Sequence, residues 1–419
     1  MRPAHYLTLL RQNPDFARLY AAQLASFAGD WFATVALLGL ALELTGSATV
    51  ASLVLVLQTG GFAVASPLAG IVADRFDRRK LLVVTDIARV PVALGFLLAG
   101  SSDTLWIAFA AVLLLAIGAA VFEPTSSASL PNLVDPDDLP TANVLIGSAW
   151  GTMLAVGAAL GGLVAVTLGR DAAFIANAVS FAISAWLIVG IRRPLQRPRD
   201  PDHPHATGPL DAIRTAVTFA RTRRTVAAFL LSKTSFGLGT GIVALLAVFG
   251  GTVFGSGDGG IGLLFAARGL GALVGPFLAR SVMGTTDAGL LRGIGWSFAA
   301  LTVSYAVFPV APAIWIAALL VFVAHCGGGA QWALSTLGLQ RATPDAIRGR
   351  IFSVDYGLVT LVIALSTLVA GFLADAFGPR VAAWTMVSLI ALAGGSWVAF
   401  ARPALRAEAR VAGTIAEDR

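Results

Sequence analysis

Charge is scarce in this sequence. Of its 419 residues only 12% are Asp, Glu, Lys or Arg, against 57% hydrophobic ones; soluble domains carry about 25% charged residues. A larger soluble core does not explain the deficit, because cores stop growing and chains divide into domains at this length. Most of the chain must therefore meet hydrocarbon. Lysine occurs only at Lys80 and Lys233, and cysteine only at Cys326, which excludes an internal disulfide. Three of the four histidines, His5, His203 and His205, fall outside the apolar runs. HExxH, Walker and paired-Cys signatures are missing as well. No enzyme activity, cofactor or metal is expected. The net charge of +6 would suit nucleic acid, but the basic residues sit in short breaks without interleaved aromatics, so no nucleic-acid partner is expected.

What the sequence does have is apolar runs. A helix crosses a bilayer with about 20 such residues, and runs of that kind lie near 17–43, 48–73, 81–100, 104–128, 141–167 and 171–190. Six more lie near 226–252, 259–281, 289–309, 313–338, 351–374 and 380–401. The first is too long for a signal-peptide core. Unpaired backbone groups are costly in hydrocarbon, so the spans are helices. The expected fold class is an all-α membrane protein with twelve transmembrane helices in two pseudo-symmetric six-helix bundles. The bundles are expected at 1–190 and 226–401, with a cytoplasmic linker at 191–225 and a cytoplasmic tail at 402–419. Within the linker, Leu210, Ile213, Val217 and Ala220 recur at helical spacing against Arg214, Arg221, Arg223 and Arg224. This segment is either a basic amphipathic helix on the inner leaflet or an extension of the seventh span.

Arginine sets the expected orientation. Arg2, Arg11 and Arg18, the stretch Arg75–Lys80, the linker, Arg341–Arg350 and the tail all fall on one side, whereas the opposite loops offer only Arg170 and Arg380. Both termini are expected in the cytoplasm, with the chain in the inner (plasma) membrane. The halves also repeat. An offset of 209 residues matches Ser26 to Ser235, Gly46 to Gly255, Ser47 to Ser256, Gly60 to Gly269 and Pro67 to Pro276. Parallel six-helix repeats are a transporter plan with the solute near the midplane.

Ionisable groups inside the spans are costly and usually functional. Asp30, with Trp31 beside it, is near mid-depth in the first span and is a candidate proton or cation site; the alternative is structural pairing with an Arg. Glu123, Arg268, Lys233 and His325 are further candidates, and Trp332 is a candidate cavity wall. Arg268 is a natural counter-ion for Asp30 or Glu123, or a site for an anionic group. Asp86 and Arg89, three residues apart, are expected to satisfy each other. Gly60, Gly157, Gly161, Gly162 and Gly271 read as helix-packing contacts.

One short stretch, "GIVADRFDRRK" (Gly70–Lys80), concentrates six charges between uncharged flanks. Gly70 permits close helix approach, Asp74 is placed to cap a facing helix, and Arg75, Arg78 and Arg79 can pair across the bundles. With Asp355 they form a candidate cytoplasmic gate. These residues resemble the loop signature of the major facilitator superfamily, with Asp77 where many members have Gly. "DRFDRR", "FAGDW" (Phe27–Trp31), "FEPTSSASLPNLVDPDDLPTANVL" (Phe122–Leu145) and "GLQRATPDAIRGRIFSVD" (Gly338–Asp355) resemble the branch containing macrolide and enterobactin exporters. "GAALGG" (Gly157–Gly162) is similar to the antiporter signature of drug–proton exchangers, with Ala158 in place of Pro. The resemblance implies the major facilitator fold and proton-coupled export of hydrophobic or amphipathic small molecules by a monomer in the lipid bilayer. An exporter or flippase of a lipid or siderophore-like metabolite is the alternative. Its anionic head group would meet Arg268 and Lys233.

Overall fold

The computed structural model describes residues 3–196, 209–283 and 286–417; of these, the side chains of 3–5, 67–71, 73–74, 140, 209–212, 345–346 and 404–417 lie outside the description. Among the described residues, twelve helices are long and apolar enough to cross a membrane. The first six are Pro14–Thr45, Ala48–Ser66 (within the helix Ala48–Arg75), Arg78–Leu98, Ser102–Leu133, Thr141–Leu168 and Arg170–Val189. The last six are Arg224–Val253, Gly257–Met283, Asp287–Val310, Ile314–Ala342, Ile347–Phe377 and Pro379–Pro403. They are called the first to twelfth spans below. Their outer faces are apolar: Trp106, Trp186, Trp315 and Leu392 are all exposed. A surface of that kind is stable only against lipid tails.

The helix ends are written locally. The Asn13 side chain accepts from the Phe16 N–H and Pro14 opens the first span, while Ser47 and Asp77 cap the helices that follow them. Gly46 ends the first span with φ +62°, and Gly255 takes the same φ at the end of the seventh; Gly169 and Gly378, at +87° and +86°, join the fifth to the sixth and the eleventh to the twelfth. Both pairs are separated by the repeat offset seen in the sequence. The tight turns at corresponding joints use the conformation that glycine adopts without a Cβ penalty.

The chain forms two compact units. One comprises Met1–Asp202 with Leu246–Ala266, the other His203–Leu245 with Ala267–Arg419. In the first, the first span packs on the fifth and sixth, the second on the fourth, and the third on the fourth and sixth. Phe16, Leu19, Leu82, Phe122, Leu130 and Ile188 close one end over Leu9 of the short helix Pro3–Gln12. In the second unit, the ninth span packs on the tenth and twelfth, and the seventh meets the tenth, eleventh and twelfth.

The seventh span is not one continuous helix. It runs as Arg224–Gly237, turns through 238–241, resumes at Ile242–Val248 and ends in a π-helical turn, Phe249–Val253. Close packing explains the break. A Cβ on Gly239 would meet Ile390 and the Met386 carbonyl, and one on Gly241 would overlap the Ser366 carbonyl. The polar groups freed by the turn are recovered by the Ser366 hydroxyl, which accepts from the Gly241 N–H at 2.9 Å and donates to the Leu238 carbonyl at 2.7 Å. Broken helices survive in hydrocarbon only where neighbours re-pair the backbone in this way.

The linker segment is a separate helix, Pro209–Thr222, ended by the extended residue Arg223. Ala216 is buried and Thr215 meets Arg350 of the eleventh span, while Ile213 and Val217 stay exposed; Leu210 of the expected apolar face lies outside the described side chains. The last helix runs on through Pro403 to Glu417, so the segment read as a tail begins as a helical continuation.

Replacing Ser366 by Ala should destabilise the protein by about 1–3 kcal/mol, the cost of unpairing a buried polar group. Thermal unfolding in detergent measures it, and an unchanged midpoint would show that the seventh-span break does not need this hydroxyl.

Candidate functional site

The first unit holds a cluster of buried charge. Arg89, on the third span, reaches Asp30 of the first span through Nη2 at 3.2 Å and Asp86, one turn away on its own helix, through Nη1 at 3.4 Å. The same Nη1 donates to the Ser26 hydroxyl at 3.1 Å, and the guanidinium lies 4.0 Å from the Phe181 ring centroid. Its stem crosses Gly118 of the fourth span, where a Cβ would sit 2.9 Å from the Arg89 Cδ. Glu123 feels both Arg89 and Asp30 electrostatically. Asp30 thus meets a counter-ion, Arg89, within its own unit. The spacing of Asp86 and Arg89 signals their pairing correctly but leaves Asp30 unassigned. A planar guanidinium offers several donors and serves two carboxylates at once.

Trp31 is buried against Trp150 of the fifth span and Phe265 of the eighth, with ring centroids 6.3 and 5.9 Å away. Small residues permit that approach. Cβ atoms on Gly157 and Gly161 would crowd the backbone at Ala28 and Phe32, and one on Gly162 would meet Asp258 and Gly262 of the eighth span. Gly60, by contrast, faces open space, so close packing does not account for it. Arg170 grips Asp258 with two hydrogen bonds, 2.8 and 3.2 Å long, and Glu43 with a third of 2.7 Å. Residues 246–266, from the second sequence half, are held in the first unit by these contacts.

In the second unit, Lys233 of the seventh span and Asp355 of the eleventh form an ion pair with both side chains fully buried. Trp332, Tyr356 and Phe352 surround the ammonium. Asp355 was expected among the charged gate; it is instead the partner of Lys233, because a carboxylate buried here needs a cation within the span. His325 shares a 2.8 Å hydrogen bond with the Tyr305 hydroxyl, and Arg268 lies within electrostatic reach of both. At the repeat equivalent of Asp30, Gly239 has no room for a side chain.

The charged loop works differently from expectation. Arg78 donates to the carbonyls of Ala128 and Leu195, and Arg79 to that of Arg193. These arginines satisfy backbone carbonyls within their own unit, one in the fourth span and two in the segment that follows the sixth. Arg75 is exposed; Gly70 and Asp74 lie outside the described side chains. Among the described residues no group of three or more His, Cys, Asp or Glu could hold a metal. An open groove of about 560 Å³ between the third and sixth spans, lined by Val83, Ile87, Pro91 and Trp186, has no ionisable side chain in its wall.

Changing Arg89 to Leu strands two buried carboxylates and should cost about 3–5 kcal/mol. The unfolding midpoint in detergent should drop accordingly; a drop no larger than that of an exposed control such as Arg75→Leu would mean that Arg89 does not neutralise the cluster.

The chain matches the family described as transmembrane secretion effector over residues 7–414. It is 27% identical to the "Putative bacilysin exporter BacE" of Bacillus subtilis strain 168 over 368 residues, which are 85% of this chain and 88% of that protein. It is 25% identical to the uncharacterized MFS-type transporter YfiS of the same strain over 397 residues, 93% of this chain and 88% of that one. Among solved structures, a POT family transporter in complex with 5-aminolevulinic acid superposes with a TM-score of 0.77 at 12% identity, covering 94% and 97% of the two chains. A bacterial homolog of the human lysosomal transporter Spinster, inward-facing and unoccupied, gives 0.71 at 16% identity with 96% and 98% covered; both likenesses show the fold. With twelve spans, a repeated half and this match along nearly its whole length, the chain belongs to the transmembrane secretion effector family of the major facilitator superfamily and is a multi-pass membrane transporter of small molecules.

Proposed function

We propose that this chain exports hydrophobic or amphipathic small molecules by alternating access, with proton entry as the driving force and Asp30 as the coupling residue. It would act as a monomer in the inner membrane, with both termini in the cytoplasm, the orientation that the arginine distribution favours. The observation that carries the reading is the charge count at Arg89. One guanidinium bonds two carboxylates, Asp30 and Asp86, so this bonded group with both acids ionised holds one negative charge in excess, and an ionised Glu123 within electrostatic reach adds to it. A proton on Asp30 leaves the neutral Asp86–Arg89 pair. Asp86 is fully buried, while the Asp30 side chain is 19% exposed, so Asp30 is the member that water and protons can reach. A cationic solute can compensate the same excess charge, which makes proton and solute competitors as antiport requires. Each would favour a different access state by its differential affinity. Release of residues 246–266 from the Arg170 contacts would be part of the transition between states.

The relatives named as exporters support the direction. An anionic cargo would first have to free Lys233 from Asp355.

Asp30→Asn should fold, because Arg89 keeps Asp86, and should lose pH-gradient-driven transport of a cationic dye such as ethidium, read as efflux from pump-deleted cells or accumulation in inverted vesicles. Gradient-driven efflux equal to that of the parent chain would rule out Asp30 as the coupling site.

A further inference from the structure

The Lys233–Asp355 pair has features that a structural ion pair does not need. The Lys233 Nζ lies 5.0 Å from the Trp332 ring centroid, 5.0 Å from that of Tyr356 and 5.9 Å from that of Phe352. Three ring faces within about 6 Å of one ammonium make an aromatic cage, the arrangement that recognises organic ammonium ions. At its base the Asp355 Oδ2 accepts from Nζ, while the buried Oδ1 of the same carboxylate has no hydrogen-bond partner. The cage wall is not sealed: Tyr356 is 44% exposed, and Gly357 beside it leaves open space where a Cβ would be. As a purely structural device, a buried ion pair gains little over a hydrophobic pair of the same volume.

We infer that this is a binding site for the ammonium group of an organic cation, and that the Lys233 side chain occupies it as an internal stand-in while no solute is bound. The exchange balances charge. Lys233 gives one proton to water and withdraws as a neutral amine. The cation of the solute then takes its place between the Asp355 carboxylate and the three rings. No covalent bond forms, and one positive charge replaces another. The groups that govern this exchange are few. Asp355 is the charged group acting on Lys233, the eleventh span adds the Tyr356 phenol, and the tenth faces the ammonium with Trp332, which does not titrate. The twelfth span and the linker helix, also packed nearby, supply no charged partner to Lys233 among the described residues. The inference deepens the export reading, since it assigns the solute an ammonium head next to an aromatic or apolar body. Its binding step does not depend on transport.

The test uses the purified full-length protein in nanodiscs, without a gradient, and two probes of the same shape and opposite charge: phenyltrimethylammonium and benzenesulfonate. Calorimetry in weakly buffered solution should show phenyltrimethylammonium binding with release of one proton per site, weakening as the pH falls. Lys233→Ala should bind it about tenfold tighter or more, without proton release, because the competing ammonium is gone. Asp355→Asn should lose the binding. Failure of the parent protein to bind the cation, binding without proton release, or Lys233-dependent binding of benzenesulfonate instead would each overturn the inference. The first two measurements need no variant, so a variant that fails to fold leaves the test intact. Cation binding with proton release in a protein that exports nothing would overturn the export reading and leave this site standing.

Discussion

An ion in hydrocarbon must carry its own neutralisation, and that constraint organises both units of this transporter. Moving an isolated carboxylate or ammonium out of water costs several kcal/mol even after relaxation. The chain meets the cost with contacts between spans that are distant in sequence. Arg89 answers Asp30 and Asp86 and Lys233 answers Asp355, while at the span ends, where Glu43 is exposed, Arg170 answers Asp258 and Glu43. The first two contacts hold helices in register within a unit. The third holds a segment from one sequence half in the unit formed by the other. Their arrangements are discrete, since a buried charge is either paired or very costly, and discrete arrangements suit a protein that must switch between states.

The same economy governs the backbone. Where the seventh span breaks, Ser366 takes up the freed N–H and C=O groups, and where the third span begins, Arg78 and Arg79 take up carbonyls of the fourth span and of the segment after the sixth. The charged loop therefore does two jobs with one composition. Its excess of basic residues suits the cytoplasmic side, and its guanidinium forks tie the loop to the fourth span and to the segment after the sixth. A lysine-rich loop of equal charge would retain the first property and lose much of the second.

The two units repeat in chain path but not in chemistry. Glycines with positive φ recur at corresponding joints, so the backbone plan is shared. Asp30 has no counterpart, because Gly239 stands at its equivalent and is filled in by Ile390 and Met386. The first unit concentrates an excess of negative charge around one arginine, and the second holds a balanced pair in an aromatic box. The buried ionic chemistry thus differs between the two units.

Span number, span limits and the repeat were legible in the sequence, since each depends on local composition: apolar runs of bilayer length, glycines at turns, and charge confined to breaks. Asp30, Lys233, Asp355 and Arg89 were likewise visible as charges where charge is costly. Their partners were not. The i,i+3 spacing of Asp86 and Arg89 explained that pair locally and hid the third member, and Asp355 lay close enough to a basic loop to be read as part of it. The break in the seventh span was equally hidden, because Gly239 and Gly241 become obligatory only when Ile390, Met386 and Ser366 press against them. Composition decides that a segment enters the membrane; which side chains neutralise one another there is decided by helices meeting in three dimensions, since hydropathy is summed along the chain whereas ion pairs and steric contacts form between segments far apart in sequence.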